Sequence, residues 1–295
     1  MLEKKLIVRL TGGLGNQMFI YSAAKALSIK SKRKLILDLG DFNYDYKYKR
    51  KYELYPFKIN DEFANKFESM KPFRRLRTKI VRYQNSFVQF KNRGFIERKQ
   101  IEYDPDFLKI NNDKKTLILS GVWQSYKYFE EINSQIKDIF TLKEEYKNEF
   151  EFVNLLNQIC KKNSVAIHFR YFSKYESKEN LNFNYFIKAI EELEMYHDDV
   201  EYFLFSEDPD YSLKKIRRYT NKKINIVSNL FIPAQIVYLM SKCKSHIISN
   251  STFSWWGAWL SQNESKTIIC PKLIKLEGES FWGFKGLIPE GWHQI

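Results

Sequence analysis

A chain of 295 residues has room for two ordinary domains of roughly 150 residues, each with its own core. At 44% apolar and 17% aromatic residues it is globular rather than disordered. Three dispersed cysteines (Cys160, Cys243 and Cys270) with no CxxC spacing exclude a disulfide framework or a cysteine zinc site and fit a reducing cytoplasm.

The opening MLEKKLIVRL is charged at its start, but its apolar run is too short for a signal peptide or a membrane span. No later stretch reaches a span, so the expected location is cytoplasmic. LIVRL (6–10) reads as a buried strand, TGGLGNQ (11–17) as a Gly-rich turn, MFIYSAAKALSIK (18–30) as a helix and KLILDL (34–39) as the next strand. That is a βαβ start. The Tyr- and Lys-rich stretch from Asp41 to Phe57 reads as loop, and Asp61 to Arg82 as mainly helical.

The net charge of +14 concentrates between Lys71 and Lys99, where ten Lys or Arg stand against one acid, Glu97. Phe73, Leu76, Ile80 and Tyr83 keep helical spacing there, which would make one helix face apolar beneath a cationic rim. A solvated helix face is the plain explanation; peripheral contact with anionic phospholipid comes next. Nucleic-acid binding ranks last, since no nucleic-acid motif accompanies the charge.

TLILSGVWQSYKYF (116–129) returns to strand, turn and helix, and the charged stretch from Lys143 to Glu151 reads as a linker. Beyond it SVAIHFR (164–170), EYFLFS (201–206), INIVS (224–228), HIIS (246–249) and KTIIC (266–270) read as short apolar strands. Helical patterns lie between them, such as NFNYFIKAIEELEMY with Phe183, Ile187, Ile190 and Leu193 on one face. Strands alternating with helices imply a mostly parallel sheet covered on both sides. The expected architecture is α/β, two Rossmann-like domains over 1–150 and 151–295 facing each other across a cleft. Ligands in such sheets bind beyond the strand C-termini.

Three candidate sites follow strands of the second domain. His168 and Arg170 fall on one side of a strand end, where a guanidinium fork suits phosphate oxygens; the plain alternatives are an interior histidine and a surface ion pair. Ser206-Glu207-Asp208 ends the next strand. A carboxylate there can accept from both N–H groups of a guanine edge, although Asp208 before Pro209 is also a ready helix cap. Third is SNSTFSWWGAWL (249–260), which sets hydroxyl and amide groups before three of the chain's six tryptophans. It reads as a capped turn opening a buried helix whose Ser251 and Thr252 amides would meet a phosphate.

The turn Gly12-Gly13-Leu14-Gly15-Asn16-Gln17 imitates a dinucleotide fingerprint, with Asp38 as ribose ligand, but the third glycine position is Met18. Amides in such a turn suit sugar hydroxyls better, since they donate and accept.

Together GGLGNQMF, SGVWQSYKYF and SNSTFSWWGAWL resemble the bacterial α-1,2-fucosyltransferases of glycosyltransferase family 11, from Gly12 to the closing PEGWHQI. The resemblance implies a GT-B architecture, GDP-β-L-fucose as donor, a terminal galactose of a cell-surface glycan such as an O-antigen as acceptor, inversion, and no cofactor or metal. It makes the first domain the acceptor side, with Gly13, Gly15, Asn16 and Gln17, and the second the donor side. His168, Arg170, Asp208, Asn250, Ser251, Thr252 and Phe253 would bind the donor, and Arg170 and Asn16 would be catalytic. The family's His-x-Arg-Arg-x-Asp element falls on His168 to Ser173, where the second Arg is Tyr171 and the Asp is Ser173. A general base is not assigned; Glu176 and Glu179 follow the Arg170 loop. A metal-dependent glycosyltransferase using Asp208-Pro209-Asp210 is the rival enzyme, a spacing that Asp104-Pro105-Asp106 repeats. A non-catalytic protein binding a nucleotide or an anionic polymer is the rival from another class.

Overall fold

The computed structural model describes residues 3–98, 101–110, 112–172 and 177–295. The chain forms two compact units, 1–140 with 285–287, and 141–284 with 288–295.

The first unit runs β1 (Lys5–Arg9), α1 (Leu14–Lys30), β2 (Lys34–Asp38), β3 (Glu62–Phe63), α2 (Arg74–Ser86), β4 (Phe95–Glu97), β5 (Thr116–Ser120) and α3 (Asn133–Ile139). Its five strands are parallel in the order β3-β2-β1-β5-β4. Leu6, Ile7 and Val8 of β1 are buried, as expected for a central parallel strand covered on both faces. Chain direction across the sheet reverses between β1 and β5, which makes that pair the crevice where a ligand is held in such folds.

Several elements differ from the sequence expectation. Helix α1 begins four residues early, at Leu14, because Gly13 serves as its N-cap and only Gly12 (φ +76°) carries the turn. Gly15, Asn16 and Gln17 are therefore first-turn helix residues, not loop. The stretch from Asp61 to Arg82 is helical only from Arg74. The segment after β5 is a short 3-10 turn at Tyr126–Tyr128, with Ser125 accepting from the Lys127 N–H, rather than an α-helix.

The second unit runs α4 (Phe150–Lys161), β6 (Ser164–Phe169), α5 (Phe183–Tyr196), β7 (Glu201–Ser206), α6 (Pro209–Ile216), β8 (Ile224–Ile226), α7 (Pro233–Lys242), β9 (Ser245–Ile247), α8 (Thr252–Trp259), β10 (Ile268–Cys270), β11 (Ile274–Leu276), β12 (Glu279–Trp282) and β13 (His293–Gln294). Residues 141–149 also belong here, tied in by the Gln235 amide donating to the Tyr146 carbonyl at 2.9 Å. Six parallel strands lie in the order β13-β10-β9-β6-β7-β8. Strands β11 and β12 form an antiparallel hairpin whose turn residues, Glu277 and Gly278, both have positive φ (53° and 89°), the backbone that a tight hairpin turn demands.

Helix α5 buries Tyr185, Phe186, Ala189, Ile190 and Leu193 against β6, β7 and β9. The expected face was rotated: Phe183 and Ile187 sit at its half-buried edge. Among the described residues no helix is long and apolar enough to cross a membrane.

Candidate active site

In the second sheet, β6 is followed by β7 and β8 on one side, and the chain then returns to lay β9 on the other. The reversal falls between β6 and β9, so their C-terminal ends splay a crevice. The loops after β9, β6 and β7 stand side by side, and they hold the three stretches singled out in the sequence.

His168, next to last in β6, is buried, and its Nδ1 lies 2.9 Å from the Ser249 hydroxyl beyond β9. This bond spans the crevice. Burial, and then the positive charge of Arg170, push the His168 pKa down to about 3, so the ring is neutral at working pH. Its face meets the Phe253 ring at 5.8 Å.

Arg170 follows the strand end and forms an ion pair with Glu207 of the β7 loop. Glu207 also accepts from the Tyr171 amide at 3.2 Å, so one carboxylate joins the two loops. The guanidinium lies over the Phe172 ring at 5.2 Å. Neither Glu207 nor Ser249 stood out in the sequence as a partner, because each acts on a residue far away in the chain. Tyr171, where the family's pattern has its second arginine, turns toward α6: its hydroxyl lies 2.9 Å from Ser212 Oγ and its ring meets Tyr211 edge-on. Ser173 and Glu176 lie outside the described residues.

Asp208 is the N-cap of α6, accepting from the Tyr211 amide at 3.0 Å, with Pro209 in the first turn. The capping role foreseen as the alternative is therefore real. It engages Oδ1. Asp210, two residues on, is exposed on the helix surface. Residues two apart on a helix do not face one another, which is a poor start for a shared metal.

The Ser249–Ser254 stretch is a hydrogen-bonded knot. The Ser251 amide donates to the Ser249 carbonyl at 2.8 Å, and Ser251 Oγ accepts from the Phe253 amide at 3.3 Å. This corrects one expectation: the Ser251 N–H is committed within the turn and does not face a phosphate. The Phe253 N–H is likewise taken by the Ser251 cap, so what α8 presents to an anion is the positive end of its dipole. Asn250 is buried, donates to the Glu179 carbonyl at 2.8 Å, and keeps its Oδ1 without a hydrogen-bond partner. The bond to a carbonyl fixes which amide atom is nitrogen. A buried acceptor left open at a crevice is a point for a ligand donor.

The tryptophans hold this helix in place. Trp255 and Trp256 are fully buried, and Trp255 stacks on Trp259 at 5.8 Å. Gly257 lets α8 press on α7, since a Cβ there would lie 2.7 Å from Met240 Cβ. Tyr185 of α5 donates to the Ile248 carbonyl at 2.7 Å, pinning the turn from below. An eight-residue helix anchored on three sides keeps its N-terminus aimed.

In the first unit the corresponding crevice, between β1 and β5, carries Asn16, whose Oδ1 accepts from Gln124 at 2.9 Å. Gly12 is required there twice over, by its positive φ and because a Cβ would lie 2.8 Å from the Asn16 amide. Gly13 caps α1 beneath the Arg50 guanidinium, and Gly15 is buried in the first turn. Gln17 does not serve the site. Fully buried, it donates to the carbonyls of Gly12 and Lys51 and accepts from the Glu53 amide, so its amide is consumed in fastening the 50–53 loop to the turn. Asp38 is excluded as a ribose ligand, because it is buried and engaged by Arg74, Ser69 and the Gly40 amide.

Residues 2–282 match the model of glycosyl transferase family 11. An α-1,2-colitosyltransferase of Escherichia coli is 30% identical over 278 residues, 90% of this chain and 91% of that protein. The O-antigen biosynthesis glycosyltransferase WbnK of Escherichia coli is 30% identical over 289 residues, 89% of this chain and 92% of its own. Among solved structures the fold is shared with the fucosyltransferase NodZ from Bradyrhizobium (TM-score 0.53, 13% identity, 86% of this chain and 92% of that one). It is shared also with POFUT1 in complex with GDP (TM-score 0.53, 11% identity, 91% and 98%). Both are GT-B folds, and the two Rossmann-like units make this chain one as well.

Proposed function

The chain belongs to glycosyl transferase family 11, and from that premise we propose that it moves L-fucose from GDP-β-L-fucose to the 2-hydroxyl of a terminal galactose, with inversion. The observation that carries the reading is the His168–Ser249 bond across the β6–β9 crevice, with Arg170 and the α8 N-terminus beside it. The acceptor would be a cell-surface glycan such as an O-antigen, a reading supported by the relative WbnK. Three free thiols support a cytoplasmic setting.

Each group has a defined task in this scheme. As the C1–O bond breaks, negative charge grows on the β-phosphate and the sugar gains oxocarbenium character. Arg170 and the N-terminal dipole of α8 supply fixed positive potential where that charge appears. They do the work a divalent cation does elsewhere, so the reaction needs no metal and no cofactor. Neutral His168 braces the Ser249 turn, and Phe253 packs on its ring. Asn250 Oδ1 accepts a hydroxyl of the donor, and Asp208, at the end of β7, reads the guanine edge. Asn16, held by Gln124, is the acceptor-side group.

A second donor is favoured by one observation: a 30% identical relative is an α-1,2-colitosyltransferase. Colitose is fucose without its 3-hydroxyl, and a site that hydrogen-bonds that hydroxyl would discriminate strongly against its loss. The decisive experiment offers both GDP-sugars in turn to terminal β-galactosides and determines product linkage by NMR. An α-linked product at O2, with GDP-fucose the better donor, is expected. Faster turnover of GDP-colitose would transfer the assignment, and absence of GDP binding by calorimetry would end it.

A further inference from the structure

Helix α2 faces the wrong way for a core helix. The side chains it buries are Arg74, which binds Asp38 and the Ser69 carbonyl, and Thr78, which accepts from Arg9. The apolar stripe points outward: Phe73, Leu76, Ile80, Tyr83 and Phe87 are 72%, 57%, 49%, 70% and 75% exposed. Their spacing of three and four residues puts them in one line along the helix. Phe73, the N-cap, has a left-handed backbone (φ 67°), a conformation unfavourable for an aromatic residue. An apolar line of this length on a solvent face is a contact surface.

Charge decides which partner fits. The helix, RRLRTKIVRYQNS, has no acidic residue, and Arg75, Arg77, Lys79 and Arg82 flank the stripe. Arg82 is paired with Glu97. Along the flank of the helix a pocket of about 420 Å³ is lined by Arg9, Arg74, Arg75, Lys79 and Arg82, with Asp41 as its carboxylate. A second copy seated on the stripe would set Arg77 and Lys79 against like charge. An anionic surface meets every requirement: acyl chains take the apolar line, and headgroup phosphates take the flanking cations.

We propose that α2 is a membrane-docking helix that seats this unit on an anionic phospholipid surface, stripe inward to the lipid and arginines at the headgroups. The proposal is independent of the donor assignment, since it rests on another element. Its test is co-sedimentation of the full chain with phosphatidylglycerol-containing vesicles and with pure phosphatidylcholine vesicles, at low and physiological salt. Binding is expected only to the anionic vesicles, weakening as salt rises. Leu76→Ser/Ile80→Ser changes exposed side chains, and circular dichroism checks that the fold is kept. It should lower vesicle partition by about tenfold or more, as should Arg77→Glu/Lys79→Glu, with GDP affinity unchanged. Equal binding to both vesicle types, or wild-type partition of the double serine variant, overturns the proposal. So does a dimer, seen by sedimentation velocity, that the serine variant dissolves while vesicles go unbound.

Discussion

Replacing Arg170 separates a structural from a catalytic role, because the two predict losses of different size. Its side chain is 27% exposed and that of its partner Glu207 is 46% exposed. An ion pair so open to water is worth about 0–1 kcal/mol, so Arg170→Ala should lower Tm by no more than about 2–4 °C. If the guanidinium grips the β-phosphate, its hold tightens as the donor bond breaks, and the loss falls on the transition state. A preformed oxyanion donor is worth about 10²–10³ in kcat, or about 3–4 kcal/mol. Steady-state kinetics with GDP-fucose should therefore show kcat falling by that factor with a much smaller change in KM. Arg170→Lys keeps a charge near Glu207 but not the planar fork, and should recover little. A folded Arg170→Ala enzyme within a few-fold of the original kcat would refute the mechanism. Tyr171→Arg, which restores the family's arginine pair, should not help, since it breaks the hydroxyl contact to Ser212 and the packing on Tyr211.

Asp208→Asn keeps a good helix cap, so Tm should hold, while GDP affinity measured by calorimetry should fall about ten- to hundredfold through loss of a charge-assisted contact. Unchanged affinity would leave Asp208 a cap alone. Activity should persist in EDTA if, as proposed, Arg170 and the α8 N-terminus neutralise the diphosphate; full inactivation with rescue by Mn²⁺ would favour the Asp208–Asp210 alternative. Burial pushes the pKa values of both His168 and His246 down to about 3. The unfolded chain then gains protons below about pH 6.5 that the folded chain refuses, so stability falls with pH, by about 2 kcal/mol per histidine at pH 5. His246→Gln should flatten the slope of unfolding free energy against pH between 6 and 4 by about 1.4 kcal/mol per unit, and an unaltered slope would contradict this.

The second unit was the more readable of the two. Its strands are continuous apolar runs such as VAIHF and YFLF, which periodicity finds because both sheet faces are covered. Strands β3, β4 and β13 are two or three residues long and join sheet edges, where neighbouring chain supplies the pairing and local sequence carries little signal. At the site, residue types and strand ends were legible; the commitments of individual atoms were not. Gln17 and the Ser251 amide are taken up by the backbone of distant or adjacent loops, and Glu207 and Ser249 act through space on residues 37 and 81 positions away.

Helix α2 shows a limit of another kind. Spacing alone revealed a line of apolar residues from Phe73 to Tyr83, but a helical period is the same whether the line faces the core or the solvent. What decides is the other face. Arg74 enters the interior because Asp38, at the end of β2, needs a cation beside it once buried, and Arg9 brings Thr78 in after it. Those polar bonds fix the helix's rotation, and the apolar line is left outside as their consequence. A sequence holds both faces and ranks neither. The carboxylate of Asp38, 36 positions earlier at the end of β2, sets which one is left to the solvent.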